Sequence, residues 1–170
     1  MKQRYSAAII LAILFCVGCV NIISAPKKTK PSAPKPVTFK QIANSTHSGF
    51  ARPDMGIIST EKELREFWAK LYARFSPPPS CDTDLIDFSK ETVVYVAVGE
   101  RPNGCYSAKI SSITRQAEKL TVSYDECVPD KGCICTQVIT APVDVVKIGK
   151  IEKNSAQPEF IRNVVPVNCP

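Results

Sequence analysis

Thr92-Val93-Val94-Tyr95-Val96-Ala97-Val98 is the stretch on which the fold turns. β-branched and aromatic residues favour extended backbone, and the run carries no apolar–polar alternation. A strand wetted on one face alternates, whereas a strand apolar at nearly every position is covered on both. The run therefore predicts a central strand. Just beyond it, Arg101-Pro102-Asn103-Gly104 reads as a tight hairpin turn, with Pro102 presetting one corner and Gly104 free to take a left-handed position. Residues 105–113 continue as a strand in which Tyr106, Ala108 and Ile110 alternate against polar neighbours. After a turn at 116–119, Leu120, Val122 and Tyr124 alternate again. Pro129-Asp130-Lys131-Gly132 is a further turn, and 134–139 and 143–148 are β-prone segments split by Pro142. Strands this close with short turns predict antiparallel pairing.

Upstream, residues 38–42 read as a short strand and 43–58, rich in Ser, Gly, Pro and Asn, as a loop. A helix follows. Thr60 and Glu63 have the spacing of a capping box. Leu64, Phe67, Trp68, Leu71, Tyr72 and Phe75 then form one apolar stripe at helical spacing, with charged residues opposite. Pro77-Pro78-Pro79 ends it. The expected class is α+β: a mainly antiparallel β-sheet with one amphipathic helix packed on it, disulfide-stabilised.

The N-terminus has the form of an export signal. Lys2 and Arg4 precede an apolar run over 7–17, short for a membrane span, and Cys16-Val17-Gly18-Cys19 closes it. Gly18-Cys19 resembles the lipobox of bacterial lipoproteins, in which lipid is attached to the cysteine sulfur; Cys16 stands where that motif usually has Leu. Cleavage after Ala25 and an uncleaved anchor reaching Ile23 are the alternatives, and all three place the domain outside the cytoplasm. The expected organisation is a signal over 1–19 with Cys19 lipidated, a Pro- and Lys-rich tether over 20–36, and a domain over 37–170. The expected location is the bacterial cell envelope, as a membrane-anchored lipoprotein, with a secreted or periplasmic protein as the alternative.

The formal charge of +6 overstates the basicity of the folded part. Taking Lys2, Arg4, Lys27, Lys28, Lys30 and Lys35 from the 22 basic residues leaves 16 against 16 acidic ones. A neutral domain argues against nucleic-acid binding. Of eight cysteines, Cys81, Cys105, Cys127, Cys133, Cys135 and Cys169 remain after Cys16 and Cys19 are set aside. An even number in an exported domain predicts disulfides. Cys133 and Cys135 are expected to have different partners, Cys127 being suited to one of them and Cys105, Cys81 or Cys169 to the other. Zinc is the weaker reading of Cys127, Cys133 and Cys135: their spacing is not that of a zinc knuckle, and the single His47 is distant.

No catalytic pattern emerges. His47 and Ser48 are adjacent on a loop, which does not make a nucleophile–base pair. Asp82, Asp84 and Asp87 lack the glycine and terminal glutamate of a calcium loop. No glycine-rich phosphate loop is present. The expectation is a protein that is not an enzyme and carries no cofactor or metal.

Gly99-Glu100-Arg101-Pro102-Asn103-Gly104-Cys105-Tyr106-Ser107 is the most unusual local string. Together with Asp87-Phe88-Ser89-Lys90-Glu91, the Phe67-Trp68 helix and Thr136-Gln137-Val138-Ile139-Thr140-Ala141-Pro142, it resembles the PrcB C-terminal domain family over about residues 49–149. That family has Gly-x-Arg-Pro-Thr-Gly-Gly-Tyr-Ser here; Asn103 and Cys105 are the departures. The family is named for an accessory lipoprotein of a spirochaete surface protease complex. The resemblance thus implies an accessory or binding module with a protein partner at the envelope, a protease among the candidates, and a membrane contact through the lipid. Arg101, Pro102, Asn103, Gly104 and Tyr106 would form the binding loop. The bland alternative is a hairpin with Arg101 a solvated charge and Tyr106 half-buried. Pro102, Gly104 and Tyr106 are also distantly similar to the Asn-Pro-Thr-Thr-Gly-Tyr loop of chagasin-type inhibitors, which makes protease inhibition a second function. A purely structural envelope role is the third.

Overall fold

In the computed structural model, which describes residues 32–82, 85–151 and 157–167, the 92–98 run lies inside a sheet, as its composition requires. The described elements are β1 (Lys35–Pro36), β2 (Phe39–Ser45), β3 (Asp54–Ile58), α1 (Glu61–Leu71), β4 (Glu91–Ala97), β5 (Ser107–Gln116), β6 (Lys119–Pro129), β7 (Val143–Gly149) and β8 (Glu159–Val167). They form two four-stranded sheets, ordered β2-β7-β4-β3 and β1-β5-β6-β8. The α+β, mainly antiparallel class holds, with two sheets in place of the single one expected. Alternation along β4 explains the layering. Val94, Val96 and the following Val98 pack with Ala108, Ile110, Leu120 and Val122 between the sheets. Val93 and Ala97 face the other way and pack with Leu64, Phe67 and Leu71 of α1. β7 divides likewise: Val146 and Ile148 enter the inter-sheet core, Val143 and Val145 the helix-side core.

Four local expectations need correction. Residues 54–58, read as loop, are β3, paired with β4; a Cβ at Gly56 would lie 3.1 Å from Tyr95 Oη, so this glycine makes room for a ring and does not mark a turn. The 134–139 segment, read as β-prone, forms no strand. The 98–106 link is not a hairpin, because β4 and β5 belong to different sheets; the tight hairpin is the next one, where Ala117 takes φ 53° between β5 and β6. Lastly, the sequence predicts no strand after 148, yet β8 forms and pairs with β6 in parallel. The last residues of the stretch read as tether lie against the sheet. Lys35 and Pro36 pair with Arg115 and Thr114, and Gln116 Nε2 donates to the Ser32 carbonyl at 2.6 Å. The signal, Cys19, most of the tether, Asp84 and Cys169 lie outside the described residues.

The helix starts as its sequence directs but ends at Leu71, ahead of the proline run, and Phe75 of the expected stripe lies beyond it and is exposed. Glu63 N–H donates to Thr60 Oγ1 at 3.2 Å, and Thr60 N–H donates to Glu63 Oε2 at 3.1 Å, closing the capping box. Thr60→Ala should lower stability by about 1 kcal/mol. Urea unfolding checks this: the midpoint should fall while the slope stays constant.

Candidate functional site

The string 99–107 is the path by which the chain leaves one sheet for the other. Gly99 has φ 79°, and a Cβ there would sit 2.8 Å from the Pro53 nitrogen, so only glycine fits. Two residues later the backbone finds a partner far along the chain. Arg101 N–H donates to the Thr140 carbonyl at 2.8 Å, and Thr140 N–H returns a bond to Arg101 at 3.0 Å. Thr140 Oγ1 donates to the Asn103 carbonyl at 2.9 Å, and Gly104 N–H to the Thr136 carbonyl at 2.9 Å. Within the turn, Cys105 N–H donates to Asn103 Oδ1 at 3.1 Å. A Cβ on Gly104 would meet Thr136 Oγ1 at 2.1 Å, so this glycine serves the close approach of a second loop. The Cys105–Cys135 disulfide, with Cα atoms 5.6 Å apart, completes the brace. Loops 101–105 and 134–140 thus form one rigid ledge. Its outer surface carries Pro102, Gly104, Val138, Ile139 and Ile134, the last 93% exposed.

Four of the five expected loop residues, Arg101, Pro102, Asn103 and Gly104, lie on the ledge, and Tyr106 follows it at the start of the run into β5. Tyr106 is half-buried, as the alternation implied. Arg101 is not a solvated charge. Its side chain is 22% exposed, and Nε donates to Glu126 Oε1 at 2.6 Å. Glu126, 1% exposed, is held at its other oxygen by Arg162 Nε, also at 2.6 Å. A buried carboxylate needs such partners. Glu126 was legible in principle: it takes the inward place that follows Leu120, Val122 and Tyr124 on β6, where alternation calls for an apolar residue. Burial pushes the neighbouring Tyr124 hydroxyl above its ordinary pKa, and the Glu126 charge adds to this against the two arginines.

The cysteines divide differently from expectation. Cys105 bonds Cys135, and Cys133 is likewise disulfide-bonded, so Cys133 and Cys135 do have different partners. Cys127, expected to take one of them, is a free thiol. It lies on β6 between Ser107 and Val165, on the face opposite Glu126, and Cys135 is already taken. Cys81 is also free, half-buried against the helix-side core, and burial pushes its thiol pKa up, partly offset by the Arg65 charge.

Other chemistry is sparse. Ser48 Oγ is buried and donates to the Ala141 carbonyl at 2.7 Å, while His47 is exposed with Nδ1 3.0 Å from Thr46 Oγ1. The two therefore make no catalytic pair. Among the described residues, no group of three or more His, Cys, Asp or Glu is placed to hold a metal ion.

A groove of about 340 Å³ runs between α1 and the sheet, walled by Phe50, Phe67 and Tyr95. Tyr95 Oη donates to Asp54 Oδ1 at 3.1 Å, and Lys70 Nζ bonds Asp54 Oδ2 at 2.8 Å while lying 4.1 Å from the Phe50 ring centre. Burial, then the Asp54 charge, pushes the Tyr95 hydroxyl up to about 12. The neutral phenol is thus favoured in the folded state. Its contribution to stability is complete below the ordinary value of about 10 and is lost as pH rises from there toward about 12. Ultraviolet titration compared with that of Tyr95→Phe should show Tyr95 ionising late, and Asp54→Asn should bring it down. A Tyr95 that titrates normally would contradict this environment.

Residues 92–149 match the family model described as PrcB C-terminal. The match bears out the resemblance over that stretch, which holds β4 to β7 and both loops of the ledge; residues 49–91 lie outside it. No curated protein and no solved structure matches the chain.

Proposed function

We propose that this chain is an exported, lipid-anchored, non-catalytic accessory module that holds or modulates a protein partner at the cell envelope, using the braced ledge as its contact surface. The observation that carries this reading is the ledge itself: Ile134, Val138 and Ile139 are exposed on loops locked by a disulfide and by backbone hydrogen bonds. Exposed aliphatics on a surface that cannot collapse mark an interaction site. Rigidity also lowers the ordering cost of binding. The lipobox-like Cys19 would supply the anchor, and the basic Pro-rich stretch the reach. The name of the matched family supports a protease complex as the setting.

A second reading is protease inhibition, favoured by the exposure of Pro102 and Gly104 on the same rigid rim. Crosslinked affinity capture of the full chain from its own cells tests the proposal. Recovery of a defined envelope partner with its activity intact is the expected result. Inhibition of a protease by the purified chain would shift the reading to the second function, and reproducible absence of any partner would overturn both.

A further inference from the structure

We infer that the outer edge of β8 is a docking site for an extended peptide segment of the partner, added as a further strand beside Ile161, Asn163 and Val165. The inference rests on the binding-module reading and names a second contact surface for it. β8 is nine residues long and closes the order β1-β5-β6-β8, so one side pairs with β6 and, among the described residues, the other is an edge. Every second residue of such a strand turns its N–H and C=O away from its neighbour, toward whatever lies beyond. The other edges are closed or short. β1 is two residues long and β3 five. β2 carries Lys40 and an irregularity between Gln41 and Ala43. The edge of β5 that β1 leaves open is capped from the opposite sheet, where Asn44 Nδ2 donates to the Ala108 carbonyl at 3.1 Å and Asp144 Oδ2 accepts from Ile110 N–H at 2.7 Å.

Among the described residues β8 has none of these protections over 159–165, and Pro166 blocks the edge only near its C-terminal end. Phe160 packs against the inter-sheet core and Arg162 turns inward to Glu126. Period two then places Ile161, Asn163 and Val165 on the outer face, and Ile161 and Val165 are exposed there. Val164, on the inner side, is exposed too. Long edges with aliphatic side chains and no lysine are those that accept another strand. Asp130 N–H donates to the Val167 carbonyl at 3.2 Å, so the loop that follows β6 closes this end of the edge and leads on to the ledge.

The occupant is a peptide segment of a partner and not a second copy. Self-pairing of the two β8 edges would cover on the order of a few hundred Å² per copy, short of the roughly 800 Å² that each side of a stable dimer contributes. A peptide would place aliphatic side chains at alternate positions beside Ile161 and Val165, and it could run on toward Ile134.

The test pans the full chain, in detergent micelles, against a displayed library of random peptides about twelve residues long. Enriched peptides should alternate aliphatic and polar residues. Their binding should slow hydrogen exchange within residues 159–165 by at least about tenfold. Ile161→Lys combined with Val165→Lys should weaken binding by more than about tenfold with Tm unchanged, because both side chains are exposed. No enrichment over that double variant overturns the inference. So does protection confined to other residues, equal binding of a peptide with alternate amides N-methylated, or protection that grows with protein concentration in the absence of peptide. If the double variant still captures the cellular partner in full yield, the module reading survives and the β8 site does not. Peptide binding without any cellular partner would have the converse meaning.

Discussion

Asp144→Ala should lower the stability of the folded part by about 3–5 kcal/mol. Asp144 lies on β7, 1% exposed, and faces the other sheet. Oδ2 accepts the Ile110 N–H at 2.7 Å, beside the point where the β5–β6 register shifts. Oδ1 accepts Gln41 Nε2 at 2.6 Å and Asn44 Nδ2 at 3.0 Å. Bonds to an ionised acceptor are the stronger kind, and their loss strands donors away from water. Alanine would leave the Ile110 amide without its acceptor and cut the polar tie joining β2, β7 and β5. In a domain of this size Tm should fall by roughly 10 °C. Asp144→Asn keeps the shape and one acceptor oxygen, so it should cost less. Urea unfolding of the three proteins checks the order, and a loss below about 1 kcal/mol for alanine would mean that apolar packing alone holds the sheets together.

Arg101→Ala should cost about 2–3 kcal/mol, well beyond the effect of an ordinary surface substitution. Glu126 would keep only Arg162, whose side chain is 48% exposed and correspondingly weaker as a partner. The backbone pairing of Arg101 with Thr140 does not depend on the side chain, so the ledge should keep its path. Arg101→Met combined with Glu126→Leu should recover part of the loss, since an apolar pair leaves no buried charge behind. A double-mutant cycle in urea reads this directly. Additive losses would show that the two residues do not act as a pair. Arg101 is therefore a poor probe of binding, because its removal disturbs the fold as well as the surface.

The contrast between Arg101 and β4 shows what the sequence could reveal. The Val-rich run of β4 and the Thr60–Glu63 cap are local codes, in which periodicity and spacing alone specify the outcome. The division of β4 between two cores is hidden, because a strand covered on both faces reads the same whether a helix or a second sheet lies beyond it. β8 is hidden for another reason. Most of its residues stay exposed, so no core-facing pattern betrays it, and its parallel partner lies far back along the chain. At the site, the strings 99–107 and 136–142 are each distinctive in the sequence. Their union depends on contacts made across the fold, Arg101 with Thr140 and Cys105 with Cys135. Spacing does not encode such contacts: alternation along β6 places Glu126 inward, but nothing local names Arg101 as its partner.

The ledge is tested most directly by changing its exposed apolar residues and leaving its braces alone. Ile134→Asp combined with Ile139→Asp alters two exposed side chains and neither the disulfide nor the Arg101–Thr140 bridge. Capture of the cellular partner by the full-length double variant should be measured beside its Tm. Capture should fall by more than about tenfold, as loss of a central apolar contact commonly produces, with Tm unchanged. Undiminished capture by a variant that folds normally would contradict the assignment of the ledge as the contact surface.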